Sequence, residues 1–141
     1  GTFTANPASA AAGIAALKII EDGSPVRQAD AAAAAIVRGV NGLFQELSVP
    51  GSAWCVSSMW HFNLGYDAPW PSDVEWDAAE EPQGGVDGLM RPLRWALFNH
   101  GVDLMGNGGM VSAAHGDSEV ADTVSAFRGA IGDLRAEGLL S

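Results

Sequence analysis

The sequence contains little cysteine and little positive charge. Cys55 is the only cysteine among 141 residues, so a disulfide within the chain is excluded, and a reducing, cytoplasmic setting is expected. The sequence has seven lysines and arginines and 17 aspartates and glutamates, which gives a formal net charge of −10. Because nucleic acids and anionic membranes are bound through basic surfaces, neither is expected as a partner.

Long hydrophobic runs are missing as well. The alanine run from Ala31 to Ala35 is followed closely by Arg38 and is too short to span a bilayer. No basic segment followed by an apolar core indicates a signal peptide. With 48% hydrophobic and 17% charged residues, the chain has the composition of a globular protein and enough length for one core. These features favour a folded domain over a disordered or membrane-spanning chain.

Residue types that commonly bind metals or act in catalysis are few and scattered along the sequence. His61, His100 and His115 lie on different predicted elements without the spacing of metal ligands, so no metal site is expected and a metal-dependent hydrolase is a distant alternative. No combination of serine, cysteine and histidine suggests a catalytic triad. Lys18 is the only lysine, and its place near the end of a predicted helix is typical of a solvated side chain that the helix dipole favours.

Hydrophobic periodicity predicts helices alternating with short strands. Helices are expected over residues 7–21, 24–48, about 86–100 and from about 116 onward, with strands over about 54–64, 102–105 and 109–114. Pro92 is expected either to kink the third helix or to mark its true start. The order indicates an α/β fold of the α+β kind, in which helices cover one face of a small, largely antiparallel sheet.

Period-two alternation is clearest in the middle of the chain. One set of side chains is expected to share a strand face: Trp54, Val56, Trp60, Phe62 and Leu64. A bend near Ser57 and Ser58 would divide this segment into two strands. Residues 66–85 hold three prolines with Trp70 and Trp76 and are predicted to form a surface loop whose tryptophans pack on another part of a larger protein or on another subunit.

The first residues form the most informative motif. In Thr2-Phe3-Thr4-Ala5-Asn6-Pro7, Asn6 is expected to cap a helix that Pro7 begins, and a helix start preceded by a hydroxyl is suited to bind an anion. This segment resembles the Gly-Thr-Phe-x-x-Asn-Pro segment of class III, pyridoxal-phosphate-dependent aminotransferases, in the version found in glutamate-1-semialdehyde aminomutase-like proteins.

Two further blocks carry the same resemblance. Gly101-Val102-Asp103-Leu104-Met105, followed by Gly109-Met110-Val111-Ser112-Ala113-Ala114-His115, resembles the last two strands of that family, where a Gly-Val-x-Leu strand leads to a Gly-x-x-Ser-x-Ala-His strand. Val56-Ser57-Ser58-Met59 resembles the family's Gly-Ser-Met strand, with serine in place of glycine. The three blocks occur in the family's order, so the resemblance covers nearly the whole chain.

The resemblance implies that the chain is the C-terminal portion of a longer enzyme. The lysine that binds the cofactor lies upstream of the Gly-Thr-Phe segment in this family, so no catalytic residue is expected here. Residues 1–48 would form a helical connection from a missing large domain, and residues 49–141 the small C-terminal domain. Gly1 and Thr2 would contact the phosphate of pyridoxal phosphate in the neighbouring subunit of a homodimer.

The resemblance also leaves some questions open. Asn107 is the candidate on the substrate side, in a loop shorter than that of the aminomutase, so a related aminotransferase remains as open as an aminomutase. The substrate would be a small amino acid or amino-ketone. The alternative, from another functional class, is a stand-alone, non-catalytic binding or assembly domain that retains this fold. The missing lysine is equally compatible with this alternative.

Overall fold

The computed structural model describes residues 1, 6–65 and 88–140. Thr2, the predicted loop with its tryptophans and Ser141 therefore lie outside the described residues. The elements of the described part are α1 Pro7–Ile20, α2 Ser24–Glu46, β1 Gly51–Val56, β2 Met59–Leu64, α3 Met90–Asn99, β3 Gly108–Met110 and α4 Asp117–Ala136. The strands form one antiparallel sheet in the order β1-β2-β3. The predicted fold class, helices packed on a small antiparallel sheet, is confirmed.

The core is formed by the sheet and helices α2, α3 and α4, each of which contributes buried side chains. Phe127 of α4 is at its centre, with its ring centroid 5.0 Å from that of Phe62, 5.9 Å from Trp60 and 6.4 Å from Phe44 of α2. All four rings are at most 3% exposed. Full burial of each such side chain stabilises the fold by roughly 1.5–3 kcal/mol, so this aromatic cluster fixes α2 and α4 on one face of the sheet.

Three helices end in the same hydrogen-bonded motif, which needs a residue with positive φ. Gly101 (φ 88°) ends α3 and Gly138 (φ 71°) ends α4, as expected for glycine after a helix. At the end of α2 this position is Ser48, with φ 54°. The next residue, Val49, donates its N–H to the carbonyl of Phe44 at 2.9 Å and so closes the motif. A non-glycine residue is strained in this conformation.

The hairpin of β1 and β2 corrects the predicted strand face. Ala53 pairs with Phe62 and Cys55 pairs with Trp60, and these residues point toward the core. Trp54 and Val56 therefore lie on the opposite, outer face. The prediction that they share a face with the Trp60 series is wrong because the two-residue turn at Ser57 and Ser58 pairs odd-numbered with even-numbered positions.

The predicted strand over residues 102–105 is also wrong. Val102 donates its N–H to Leu97 as part of the α3 end, and Met105 donates its N–H to the carbonyl of Gly108 at 3.0 Å, which closes a turn. β3 is consequently only three residues long. Gly108 is required there, since an added Cβ would lie 2.1 Å from the carbonyl oxygen of Trp60.

Pro92 falls in the first turn of α3. Of the two expectations for this residue, the one that held is that it marks the start of the helix.

Candidate functional site

The start of α1 is the predicted anion site. The Oδ1 atom of Asn6 accepts the N–H of Ala8 at 2.9 Å and that of Ser9 at 3.3 Å, and Pro7 is in the first turn. The Asn-Pro prediction of a capped helix is thus confirmed. Ala10 donates its N–H to the carbonyl of Asn6. The first-turn donors of α1 are therefore already bonded, and a phosphate near this helix would depend on groups that precede Asn6.

The two predicted cofactor contacts precede that cap. Gly1 is exposed, and Thr2 lies outside the described residues. Their role stays a prediction. The described residues do not form a complete site for pyridoxal phosphate, because Lys18 is exposed on the last turn of α1, beside Leu17 and Glu21, and no described side chain encloses it.

Asn107, the substrate-side candidate, lies in the turn before β3. The residue is half-buried, and its backbone carbonyl accepts the N–H of Phe62 at 2.8 Å, so the sheet fixes its position. Within the described residues no hydrogen bond to its side-chain amide is formed. Its donor and acceptor atoms are thus available to another molecule or chain segment, although the described structure brings no other predicted site residue to it.

The serine and histidine of the Gly-x-x-Ser-x-Ala-His block bind each other. Nδ1 of His115 accepts the backbone N–H of Ser112 at 3.2 Å, with the Ser112 hydroxyl 3.1 Å away. His115 thus closes the turn that precedes the last helix. The helix start is bonded instead by Glu119, whose Oε2 accepts the N–H of Gly116 at 2.8 Å.

The arginines of α3 do not form a carboxylate-binding pair. Arg94 donates to Oδ1 of Asp103 at 3.0 Å, an exposed ion pair that ties α3 to the segment after it. Arg91 is exposed one turn earlier. Both arginines therefore lie on the exposed surface of α3.

Cys55 is poorly suited to act as a nucleophile. Its side chain points toward the core, where desolvation and the nearby carboxylate of Asp30 raise the pKa of the thiol, while Arg38 acts in the opposite direction. The thiolate is the reactive form, so the raised pKa lowers reactivity at neutral pH. A role as a small apolar residue is consistent with this geometry.

Metal-binding clusters and membrane-spanning helices are both absent from residues 1, 6–65 and 88–140. There, no group of three or more histidine, cysteine, aspartate or glutamate side chains is placed to hold a metal ion. Over the same residues, no helix has the length and apolar character needed to cross a membrane.

Sequence comparison links the chain to part of a known group of enzymes. No protein-family model matches it. Curated proteins named glutamate-1-semialdehyde 2,1-aminomutase are similar over nearly its whole length: the one from Pyrobaculum arsenaticum is 30% identical over 97% of the chain, and the one from Gemmatimonas aurantiaca is 32% identical over 94%. The chain spans 31% and 29% of those proteins, respectively.

Solved structures agree with the sequence comparison. An omega-transaminase from Sphaerobacter thermophilus superimposes with a TM-score of 0.75 at 25% identity, over 96% of this chain and 30% of that one. A transaminase with pyridoxal phosphate bound matches with a TM-score of 0.74 at 22% identity, which supports the fold. The resemblance to glutamate-1-semialdehyde aminomutase-like proteins is therefore confirmed, for about three tenths of the length of those proteins.

Proposed function

We propose that the chain is the C-terminal portion of a class III, pyridoxal-phosphate-dependent enzyme that transfers an amino group on a small amino acid or amino-ketone. The observation that carries the proposal is the similarity of nearly the whole chain to about three tenths of the glutamate-1-semialdehyde 2,1-aminomutases. In this proposal the cofactor-binding lysine belongs to the rest of the enzyme, and the chain by itself is inactive. Aminomutase and aminotransferase chemistry are both compatible with it.

Helix α1 gives independent support, because it is apolar on every side and yet buries nothing. Ile14, Leu17 and Ile19 are 56%, 64% and 69% exposed, and none of its 14 residues is buried. A helix that is hydrophobic all round is normally enclosed by protein. The remainder of a longer enzyme would supply that enclosure. The division into a helical connection over residues 1–48 and a small domain over residues 49–141 stays a prediction, and α2 of that connection packs in the same core as the sheet.

The residues near the cofactor follow from the same proposal. Gly1 and Thr2 would contact the phosphate in the neighbouring subunit of a cytoplasmic homodimer. Asn6 supports this arrangement indirectly, since its cap fixes where α1 begins and therefore where the chain before it emerges. Asn107 would lie on the substrate side, with its amide free to bond a polar substrate group.

The proposal is tested by intact-mass analysis of the native protein after borohydride reduction. We expect a polypeptide longer than 141 residues that contains this sequence and carries a reduced pyridoxyl adduct. A native preparation that holds only the 141-residue chain, without an adduct, would refute the proposal. It would favour the stand-alone, non-catalytic domain, which is also expected to lack a cofactor-binding lysine.

The role of Thr2 has a separate test in the complete protein. Thr2→Ala should weaken cofactor retention, because one hydrogen bond to a charged phosphate is lost, a change of roughly 1.5–3 kcal/mol or about tenfold or more in the dissociation constant. Thr4→Ala is the matched control, since it removes a hydroxyl two residues away. Equal retention by both variants would remove Thr2 from the cofactor site.

A further inference from the structure

A groove of about 360 Å³ lies between α3 and α4. Its α3 wall includes Trp95 and Asn99, which are four residues apart and therefore on the same side of that helix. Its α4 wall includes Asp133 and Glu137, which are also four residues apart. Trp95 is 64% exposed, so an aromatic surface in this groove is open to a ligand. None of the residues proposed for the cofactor or the substrate lines the groove.

The groove carries negative charge at a place where a helix disfavours it. Asp133 and Glu137 are like charges one helical turn apart, an arrangement that destabilises a helix. Both lie at the C-terminal end of α4, where the helix dipole is itself negative. Arg135, the basic residue of the same last turn, donates to the carbonyl of Leu47 at the end of α2, on another side of α4. None of the residues that line the groove is a lysine or an arginine.

His100 balances only part of this charge. Its Nε2 atom is 2.9 Å from Oδ2 of Asp133, so a protonated imidazole would neutralise one of the two carboxylates. Within the described residues, Glu137 forms no ion pair. The groove therefore keeps a net negative charge in either protonation state of His100, and a cation between the two carboxylates would relieve their repulsion.

Charge also argues against two acidic occupants of the groove. Residues 66–87, which lie outside the described residues, contain seven aspartates and glutamates and no lysine or arginine. A second copy of the chain has a formal net charge of −10. Because like charges disfavour contact and opposite charges favour it, the groove is complementary to a cation rather than to either of these.

We propose that the groove between α3 and α4 binds a small organic ammonium ion. Tryptophan is the aromatic side chain that attracts cations most strongly, and Trp95 offers its ring in the same groove in which Asp133 and Glu137 offer the opposite charge. A volume of about 360 Å³ lies within the range of roughly 300–1,000 Å³ that is usual for small-molecule sites. This inference goes beyond the proposed function, because the site and its ligand are separate from the cofactor and the substrate.

Fluorine NMR tests the inference at the tryptophan itself. The complete native protein is labelled with fluorotryptophan, and the Trp95 resonance is assigned by its absence from Trp95→Phe. Choline is the probe, titrated at constant ionic strength, because its quaternary nitrogen cannot form an imine with an aldehyde cofactor. Dimethylbutanol, in which a carbon atom replaces the charged nitrogen, is the neutral control. We expect a saturable shift of the Trp95 resonance at millimolar choline, with the control at least about tenfold weaker.

Three substitutions show which residues bind the probe. Glu137→Gln keeps the shape of the side chain and should weaken choline binding about two- to fivefold, because one exposed ionic contact is lost. Asp122→Asn is the matched control, since it removes an exposed charge of α4 outside the groove. Phe98→Ala removes an aromatic ring of α3 that is 65% exposed but does not line the groove, and it should also leave choline binding unchanged.

Three results would overturn the inference. The first is a Trp95 resonance that does not respond to choline, and the second is an equal response to choline and dimethylbutanol, which would mean that the groove does not recognise charge. The third is equal choline binding by Glu137→Gln and Asp122→Asn. Because the readout is the Trp95 resonance, it depends on neither a bound cofactor nor the length of the polypeptide. A failure here therefore leaves the proposed function standing, and a failure of the proposed function leaves this site to be judged separately.

Discussion

The side chain of Asn41 should be one of the largest single contributors to the stability of this fold outside its core. Asn41 lies on α2, and its Nδ2 donates to the carbonyl of Ala53 at 2.9 Å while its Oδ1 accepts the N–H of Ala53 at 2.8 Å. Ala53 belongs to β1, an edge strand, and is only 6% exposed. The amide therefore satisfies both backbone groups of a buried residue on the side of β1 that, in the described sheet, has no neighbouring strand.

Asn41→Ala removes both hydrogen bonds at once. Each contributes about 0.5–1.5 kcal/mol net, and each backbone group left buried without a partner costs about 1–3 kcal/mol if water does not reach it. Alanine recovers up to roughly 0.7 kcal/mol through its higher helix propensity. We expect the free energy of unfolding to fall by about 2–4 kcal/mol in urea titrations followed by tryptophan fluorescence, for which buried Trp60 is a suitable reporter.

Asn99→Ala is the matched control. Asn99 is also on a helix but is exposed, so its replacement should change the unfolding free energy by less than about 0.5 kcal/mol. If Asn41→Ala costs no more than this control, the pairing between Asn41 and Ala53 contributes nothing and the reasoning fails.

Asn41→Asp adds a test by pH. One carboxylate oxygen can still accept the N–H of Ala53, but the other faces its carbonyl oxygen, so the protonated acid is favoured and its folded-state pKa should rise above the unfolded value. A group with a raised folded pKa contributes stability that is present below the unfolded pKa and is lost as pH rises through the folded one. The variant should therefore regain stability relative to wild type as pH is lowered toward about 4, whereas Asn41→Ala should not.

Three further predictions concern single positions, each measured by urea unfolding. Ser48→Gly should stabilise the chain by about 0.5–1 kcal/mol because glycine adopts φ 54° without strain, whereas Ser125→Gly inside α4 should destabilise it. Gly108→Ala should cost about 1–3 kcal/mol through its contact with the Trp60 carbonyl, while Gly132→Ala, which has open space around it on α4, should be neutral or stabilising. The bidentate hydrogen bonds from Arg128 lower the pKa of Glu46. The contribution of Glu46 to the free energy of unfolding is therefore present above its unfolded pKa and is lost as pH falls through its folded pKa. Glu46→Gln should flatten this loss of stability at acid pH, and an unchanged pH profile would contradict the role given to the pair of Glu46 and Arg128.

Local signals in the sequence predicted the helices well. Asn6-Pro7, Ser24-Pro25 and Gly116-Asp117 each lie at an observed helix start. These signals succeed because capping and first-turn proline act within three or four residues, independent of the rest of the fold. The end of α2 was predicted at residue 48 and lies at Glu46, but the positive φ of Ser48 had no signal in the sequence, since serine seldom adopts it.

The strands were predicted less accurately because their faces depend on contacts between distant residues. Alternation along Trp54 to Leu64 is real on each strand, but it cannot reveal that a two-residue turn places Val56 beside Met59 rather than on the core face. The predicted strand over residues 102–105 has β-type composition, yet the neighbouring helix end and turn use its backbone groups. The site was predicted through family resemblance, and its leading residue, Thr2, lies outside the described residues.

The balance between the core and the surface is the strongest physical argument that the described residues are part of something larger. The core is complete: Phe44, Phe62 and Phe127 interlock, and among the described residues no buried side-chain nitrogen or oxygen lacks a hydrogen-bond partner. The surface is not, because the apolar side chains of α1 and those of Val56, Met59 and Met110 in the sheet are exposed on separate elements. Exposed apolar surfaces of this kind are normally covered by further protein, which supports the proposal that the chain is part of a longer protein similar to the relatives of which it spans about three tenths.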